Sequence, residues 1–288
     1  MRKICLQARA KVNLTMDVLR RRPDGYHDVD LLMQSVSLHD ELTIEESDAL
    51  VLTIEGNLPV EDNNLVLRAA RLLAQDAGIE PKAKMHLKKR IPVAAGLGGG
   101  SADAAAAFVG LNELWGLEYP LEKLLAIGAK LGADVPFCIA GGCRRATGIG
   151  TDLEHVESKL PLHLVILKPC EGLLTKEIFG GLTLNEQTQH PDTEGAAKAV
   201  ETGDIHALIA CMGNVLETPA MARRPLIGQA LEELTALGAL HARMSGSGSA
   251  VFGLFEEEEA AQRAAEELKH KYAECFAAHT VQYGVKIV

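Results

Sequence analysis

Aromatic residues are scarce, with Phe, Tyr and Trp making up 4% of the 288 residues. A core must then be built from Ala, Leu, Val and Ile, and an aromatic residue in a loop stands out. Basic residues are also in deficit, 29 Lys and Arg against 39 Asp and Glu, for a formal net charge of −10. That balance argues against a broad nucleic-acid or anionic-membrane surface, since both select basic proteins. It does not exclude a small anionic ligand, which a few lysines or a helix N-terminus suffice to hold. No apolar run approaches the length of a membrane span, "LHLVILKP" being typical. The first residues, "MRKICLQARAKVN", have early positive charge without an apolar stretch behind it, so no secretory signal is expected. The six cysteines, Cys5, Cys138, Cys143, Cys170, Cys211 and Cys275, contain no CxxC pair. They read as reduced, mostly buried thiols of a cytoplasmic protein.

What is present is the composition of a folded protein, 47% hydrophobic and 24% charged, long enough for one large domain or two ordinary ones. Lys11–Val18 reads as a strand, a turn follows around Pro23-Asp24-Gly25, and "DLLMQSVSL", "DELTIEE" and "LVLTIEG" read as further strands. "NLVLRAARLLAQDAG" is a helix with Asn63 or Asn64 as its cap and Gly78 at its end. "KAKMHLKKRIPV" reads as a strand, and helical patterns cover roughly Ser101–Trp115 and Pro120–Leu131. The chain restarts after "ATGIGTDLEHVESKLP" with the strand "LHLVILKP", helical segments to about Leu237, a strand–turn–strand in "LHARMSGSGSAVFGLF", a helix and a final strand. Strands and helices without regular βαβ alternation predict an α+β fold. The expected boundary divides residues 1–155 from 156–288.

"IPVAAGLGGGSADAAAAFVGL" carries the most chemistry. Gly96, Gly98, Gly99 and Gly100 precede Ser101 and an Ala-rich helix. Glycines let successive amides converge on an anion, and a helix N-terminus adds unpaired N–H groups and partial positive charge. Ser101 is positioned to cap the helix or to donate a hydroxyl to a phosphate or its metal. No Lys follows the glycines, so the Walker pattern fails, and Ser at position 101 breaks the dinucleotide GxGxxG. A glycine turn that merely packs a helix against a strand is the structural alternative. "MSGSGSAVFG" is compatible with a plain hairpin, and Asp134 in "GADVPFCIAGG" with a turn or cap residue.

Taken in order with "AKVNLTMDVLRRRPDGYHDVD", these stretches resemble the GHMP kinase superfamily. The central "PVAAGLGGGSADAA" and the late "MSGSGSAVFG" carry that resemblance over nearly the whole chain, most weakly across Thr183–Arg224. The run Lys11-Val-Asn13-Leu, Asp24-Gly25-Tyr26-His27 and Gln34-Ser-Val-Ser-Leu, with "GADVPF", resembles the branch acting on a cytidylated alcohol. The resemblance implies a two-domain α+β fold with the active site in the cleft between domains. It implies transfer of the γ-phosphoryl group of ATP to the 2-hydroxyl of 4-diphosphocytidyl-2-C-methyl-D-erythritol, a step of the non-mevalonate isoprenoid pathway. Small-molecule substrates, no nucleic acid, no membrane, and a monomer or weak homodimer are expected.

Carried over residue by residue, Lys11 and Asp134 are the catalytic pair. Ala94, Ala95, Gly96, Leu97, Gly98, Gly99, Gly100, Ser101 and Ala102 match the ATP phosphate loop, and Asn64, Leu65 and Lys89 the adenine pocket. Asn13, Tyr26, His27 and Phe179 match positions around the cytidylated substrate, with Tyr26 and Phe179 stacking on the base. Gly246, Ser247 and Gly248 form the late glycine motif. The family often places two serines in the phosphate loop; here Ser101 is followed by Ala102, which removes a hydroxyl and leaves the backbone anion site intact. Mg²⁺ is expected to arrive with ATP, with Ser101 as a candidate ligand and no dedicated metal site. Two other readings stand beside this one. One is a superfamily kinase for homoserine, a sugar or a mevalonate derivative, and the other a catalytically dead nucleotide sensor.

Overall fold

The structure, a computed structural model, describes residues 2–55 and 60–288. Gly56, the last residue of the expected strand "LVLTIEG", lies outside the described residues.

Two sheets organise the chain. The first half supplies β1 (Lys3–Arg21), β2 (His27–Glu45), β3 (Leu50–Glu55), α1 (Leu65–Ala77), β4 (Ala83–Lys88), α2 (Gly99–Leu114), α3 (Leu121–Ala129), α4 (Asp134–Ala140), β5 (Cys143–Thr147) and β6 (Asp152–Val156). The second supplies β7 (His163–Leu167), α5 (Thr175–Gly181), α6 (Thr193–Thr202), α7 (Ile205–Cys211), β8 (Gly213–Asn214), α8 (Glu217–Arg223), α9 (Leu226–Ala236), β9 (His241–Met244), β10 (Val251–Phe255), α10 (Glu258–Lys269), β11 (Cys275–His279) and β12 (Val285–Ile287). An eight-stranded sheet runs β12-β1-β2-β4-β3, with β5 and β6 continuing from β2 and β8 lying beside β1. An antiparallel four-stranded sheet runs β11-β7-β10-β9. β8 and β12, late in the chain, thus complete the first sheet. The mixture is an α+β fold.

β1 shows how the halves are joined. Its even positions, Ile4, Leu6, Ala8, Ala10, Val12, Leu14, Met16 and Val18, are apolar and buried. Period-2 alternation of this kind normally leaves the polar row in water. Here Arg9, Lys11, Asn13, Thr15 and Asp17 are buried too. Three of them find partners in the second half of the chain. Arg9 donates to the Tyr283 hydroxyl (3.2 Å), Thr15 Oγ1 meets Thr193 Oγ1 (3.0 Å), and Asp17 Oδ1 meets His190 Nδ1 (2.7 Å). The polar row is a hydrogen-bonded seam, and part of it becomes the site.

β2 is a single strand of 19 residues where two separate strands are expected. The expected break falls at His39, ahead of Asp40, whose buried carboxylate is costly unless satisfied. Asp40 is fully buried but satisfied, accepting from the amide of Ile91 (2.8 Å) and from Lys89, so the strand runs through it.

α1 follows the sequence expectation. Asn64 caps it by accepting from the Val66 amide (2.9 Å), and Gly78 ends it with φ 68°. α2 is buried nearly all round, which its alanines permit. A Cβ at Gly110 would come within 2.6 Å of Ile44 Cδ1 and 2.8 Å of Leu6 Cδ1, so this helix lies hard against the large sheet. That packing fixes where its N-terminus points.

Candidate active site

One cavity of about 1310 Å³ gathers nearly every residue singled out from the sequence. The exception is Ala102, which is fully buried and does not line it. Its amide already donates to Gly98 O (2.8 Å) as the first bond of α2, so it has no free N–H for an anion. Ser101 is likewise not the helix cap. The helix starts at Gly99 after Gly98 in the left-handed region (φ 69°), which puts Ser101 in the first turn. The amides of Gly99, Gly100 and Ser101 therefore have no intrahelical acceptor, the condition for holding an anion.

The glycine loop is clamped from two directions. Lys11 N in β1 donates to Leu97 O (3.0 Å). From the other half, Ser245 Oγ donates to Gly96 O (3.0 Å) and Ala250 N to Ala95 O (3.0 Å). Gly96 has φ 78°, and a Cβ there would lie 2.0 Å from Ser245 O, so only glycine permits the approach.

The late Gly/Ser segment is a β9–β10 hairpin, as its sequence allows, but its loop reaches the same cavity through Gly246, Ser247 and Gly248. Asn214 is the residue that holds it. Its Nδ2 donates to Met244 O and to Gly246 O, both at 2.8 Å, while its Oδ1 accepts from Leu216 N (2.9 Å). Sequence reasoning missed Asn214, which lies in the stretch where the resemblance is weakest and has no motif around it.

Lys11 and Asp134 meet beside the loop. Lys11 Nζ is buried, donates to Asn13 Oδ1 (2.5 Å) and lies 3.9 Å from Asp134 Oδ2, whose side chain is 40% exposed. Asp134 opens α4 rather than sitting in a turn, with Pro136 in the helix's first turn, where proline is tolerated. A Cβ at Gly246 would come within 3.3 Å of Lys11 Nζ. The ammonium, the carboxylate and the two glycine segments thus converge on one spot.

Asn64, Leu65 and Lys89, expected at an adenine pocket, also line the cavity. Asn64 uses its side-chain oxygen as the α1 cap, which leaves its NH₂ free, and Leu65 lies beside Gly100. Lys89 lines the cavity too, but its ammonium is engaged by Asp40 and Asp103 (2.6 Å for the latter). Both carboxylates escaped notice in the sequence as site residues.

At the other end lies the Tyr26-His27 turn. Arg22 pairs with Asp24 and Asp28 (both 3.0 Å), and Asp24 Oδ1 accepts from Tyr26 N (3.1 Å). Tyr26 is 61% exposed. The ring facing Phe179 belongs to His27 (centroids 5.0 Å apart, 43° between planes). Burial, helped by the charge of Arg21, lowers the His27 pKa from its ordinary value, which favours a neutral ring at pH 7. Thr175 Oγ1 and Ser247 Oγ (2.9 Å) link α5 to the hairpin loop.

Comparison with known proteins bears on the whole chain. A family model described as GHMP kinases N terminal domain matches residues 64–142, and one described as GHMP kinases C terminal matches residues 196–274. The 4-diphosphocytidyl-2-C-methyl-D-erythritol kinase of Acetivibrio thermocellus is 44% identical over 98% of this chain and 100% of its own length. That of Enterococcus faecalis is 40% identical over 97% and 100% respectively. A crystal structure of 4-(cytidine 5'-diphospho)-2C-methyl-D-erythritol kinase superposes with a TM-score of 0.83 at 35% identity, covering 95% of this chain and 98% of the other. Homoserine kinase from Cytophaga hutchinsonii shares the fold (TM-score 0.79, 21% identity, 99% and 97% covered). The match in sequence spans both halves of the chain, and the chain belongs to the GHMP kinases, in the 4-diphosphocytidyl-2-C-methyl-D-erythritol kinase family.

Proposed function

We propose that this chain transfers the γ-phosphoryl group of ATP to the 2-hydroxyl of 4-diphosphocytidyl-2-C-methyl-D-erythritol, releasing ADP. The observation that carries the reading is the convergence of Lys11, Asp134 and the free amides of Gly99–Ser101 in a cavity that also contains the His27–Phe179 pair. Phosphoryl transfer asks a protein mainly for positioning and charge stabilisation. The loop amides and the α2 N-terminus hold the phosphates. Asp134 accepts the hydroxyl proton, and Lys11, fixed by Asn13 Oδ1, bridges to the transferring oxygens. Cytosine sits near Phe179, with Tyr26 and His27 shaping the entrance.

Among the described residues no group of three or more His, Cys, Asp or Glu forms a metal cage. The donors present are oxygens, the Ser101 hydroxyl and the Asp134 carboxylate, which fits Mg²⁺ drawing most of its ligands from phosphate and water. Bound with ATP, Mg²⁺ supplies charge neutralisation on the phosphate oxygens. The substrates are small molecules and the proposed location is the cytoplasm; no helix among the described residues is long and apolar enough to cross a membrane. We also propose the domain boundary at residues 155–156, at the end of β6.

A coupled ADP-release assay with the cytidylated alcohol beside its uncytidylated analogue tests the assignment. Activity confined to the cytidylated compound supports it. Equal activity on both leaves a GHMP kinase of another specificity, and none with any alcohol leaves a nucleotide sensor.

A further inference from the structure

The cavity wall carries two positive charges that the transfer chemistry does not use. Among the described residues, the lysines and arginines lining it are Lys11, Arg21, Lys89 and Lys176. Lys11 lies 3.9 Å from Asp134, and Lys89 is engaged by Asp40 and Asp103. Arg21 and Lys176 are exposed and have no ion-pair partner among the described residues. Their neighbours in sequence behave differently. Arg20 Nε pairs with Asp28 (2.6 Å), and Arg22 pairs with Asp24 and Asp28 (both 3.0 Å). Of three consecutive arginines, the one facing the cavity is the one left without a carboxylate. Beside Lys176, Glu177 pairs with Arg223 (3.6 Å), and neither of those two lines the cavity. In a chain with a formal net charge of −10, carboxylates are in ample supply. Two unpaired cations on one concave wall therefore make a local field that favours an anion.

Both cations flank the ring pair. Arg21 is the cross-strand partner of His27 in the β1–β2 ladder, and the His27 ring feels its charge. Lys176 precedes Phe179 by three residues in α5, which puts the two on one face of that helix. Thr175, just before Lys176, is held to Ser247 of the hairpin loop (2.9 Å), and Gly246 of that loop lies against Lys11 Nζ. Along α5, Lys176 thus stands between Phe179 at the rings and Thr175 on the side of the transfer point. The cytidylated alcohol has the same order. Its base belongs at the rings and its reacting hydroxyl at Lys11 and Asp134, and a diphosphate diester with two negative charges separates them. The free amides of Gly99–Ser101 are assigned to the phosphates of ATP, so this second diphosphate calls for cations of its own.

We propose that Arg21 and Lys176 are specificity-determining residues that hold the diphosphate linker of the cytidylated alcohol, one from the end of β1 and one from α5. The inference rests on the kinase reading above and deepens it, since it supplies what tells a cytidine diphosphate ester from an uncharged nucleoside. Arg21 offers a planar fork that suits two phosphate oxygens, and Lys176 a single charge on a flexible stem. Water screens both contacts, which keeps each of them modest. The linker does not react, so its contacts are the same before and during transfer and act on binding rather than on turnover.

The test is steady-state kinetics at saturating MgATP, with cytidine and cytidine diphosphate as inhibitors competing against the cytidylated alcohol. Saturation keeps both inhibitors out of the nucleotide site. In the wild type, cytidine diphosphate should inhibit more tightly than cytidine. Arg21→Ala and Lys176→Ala should each raise the KM for the cytidylated alcohol and the Ki for cytidine diphosphate about three- to tenfold, with the Ki for cytidine unmoved. The loss should fall on KM rather than kcat, the mark of uniform binding. Arg21→Lys and Lys176→Arg keep the charge and should recover most of it. A merely structural role at either position would weaken cytidine in parallel and would not answer to charge. Equal losses for cytidine and its diphosphate, or an unchanged Ki for the diphosphate when both residues are replaced by Ala, overturn the proposal and leave the kinase reading standing. A wild-type protein that phosphorylates no cytidylated alcohol overturns both.

Discussion

The two walls of the cavity are built on opposite plans. The nucleotide wall is made of backbone. Its proposed working groups are the amides after Gly98, their directions set by Gly96 and Gly98 in the left-handed region and by buried polar partners from both halves of the chain. The alcohol wall is made of side chains, with Tyr26 61% exposed, His27 half-buried, and Phe179 half-buried against the core on α5, a helix of seven residues. A wall of fixed dipoles needs no rearrangement at the moment of transfer.

That contrast gives its sharpest test at the point where the walls meet. In the proposed mechanism Asp134 accepts the hydroxyl proton, so Asp134→Asn is expected to lower turnover by about 10²–10⁴ while the Kd for ATP stays within about twofold. The Asn is isosteric, and the nucleotide wall does not depend on its charge. Single-turnover rates with parallel ATP titrations check this. Near-normal turnover would take Asp134 out of the mechanism.

Gly96→Ala should break the nucleotide wall alone. The left-handed conformation costs roughly 1–2 kcal/mol for an L-residue, and the added Cβ at 2.0 Å from Ser245 O forces backbone to move. A stability loss of about 2–5 kcal/mol is expected from strain and overpacking together, with a raised KM for ATP. Thermal unfolding and steady-state kinetics measure the two. A stable variant with unchanged ATP kinetics would mean that the loop does not need its close approach to the β9–β10 hairpin.

Asn214→Ala joins the comparison from the other side, because the hairpin loop it holds borders both walls. Two backbone carbonyls lose their donor, at a cost of about 1–3 kcal/mol. KM should rise for both substrates, unlike any change confined to one wall. A rise for ATP only would show that the hairpin serves the phosphate loop and not the alcohol.

The opposite plans also explain what the sequence makes legible. A backbone site announces itself, because glycines cluster where side chains are excluded, and the loop, Lys11 and Asp134 can be read before any coordinates. α1 is equally readable from Asn64 and Gly78, whose chemistry is local. Asp40 and Asn214 are not readable, since each earns its place through partners 30 to 51 residues away and neither has a local pattern. The same holds for the polar row of β1, which alternates like a solvent-facing strand and is covered by residues from the far end of the chain. The facing of His27, rather than Tyr26, toward Phe179 depends on how the turn after β1 is tied by Arg22 and the two aspartates.

The smallest effects belong to the alcohol wall, and their order separates its rings. Phe179 packs against His27 and is anchored by the apolar core, so Phe179→Ala removes both a stacking face and the support of a neighbour. An aromatic pair is worth about 0.5–1.5 kcal/mol beyond its buried area, which predicts a rise in KM for the cytidylated alcohol of roughly three- to tenfold. Tyr26 has no ring neighbour within the described residues and gains one only when the base arrives. Tyr26→Ala should therefore raise the same KM by less, about two- to threefold, and Tyr26→Phe should restore it, since a face rather than a hydroxyl is what the base would meet. Both variants should leave KM for ATP unchanged. If Tyr26→Ala costs more than Phe179→Ala, the exposed ring closes over the base and the alcohol wall is ordered by its turn; if Tyr26→Phe fails to restore binding, the hydroxyl is the working group and stacking at this position is wrong.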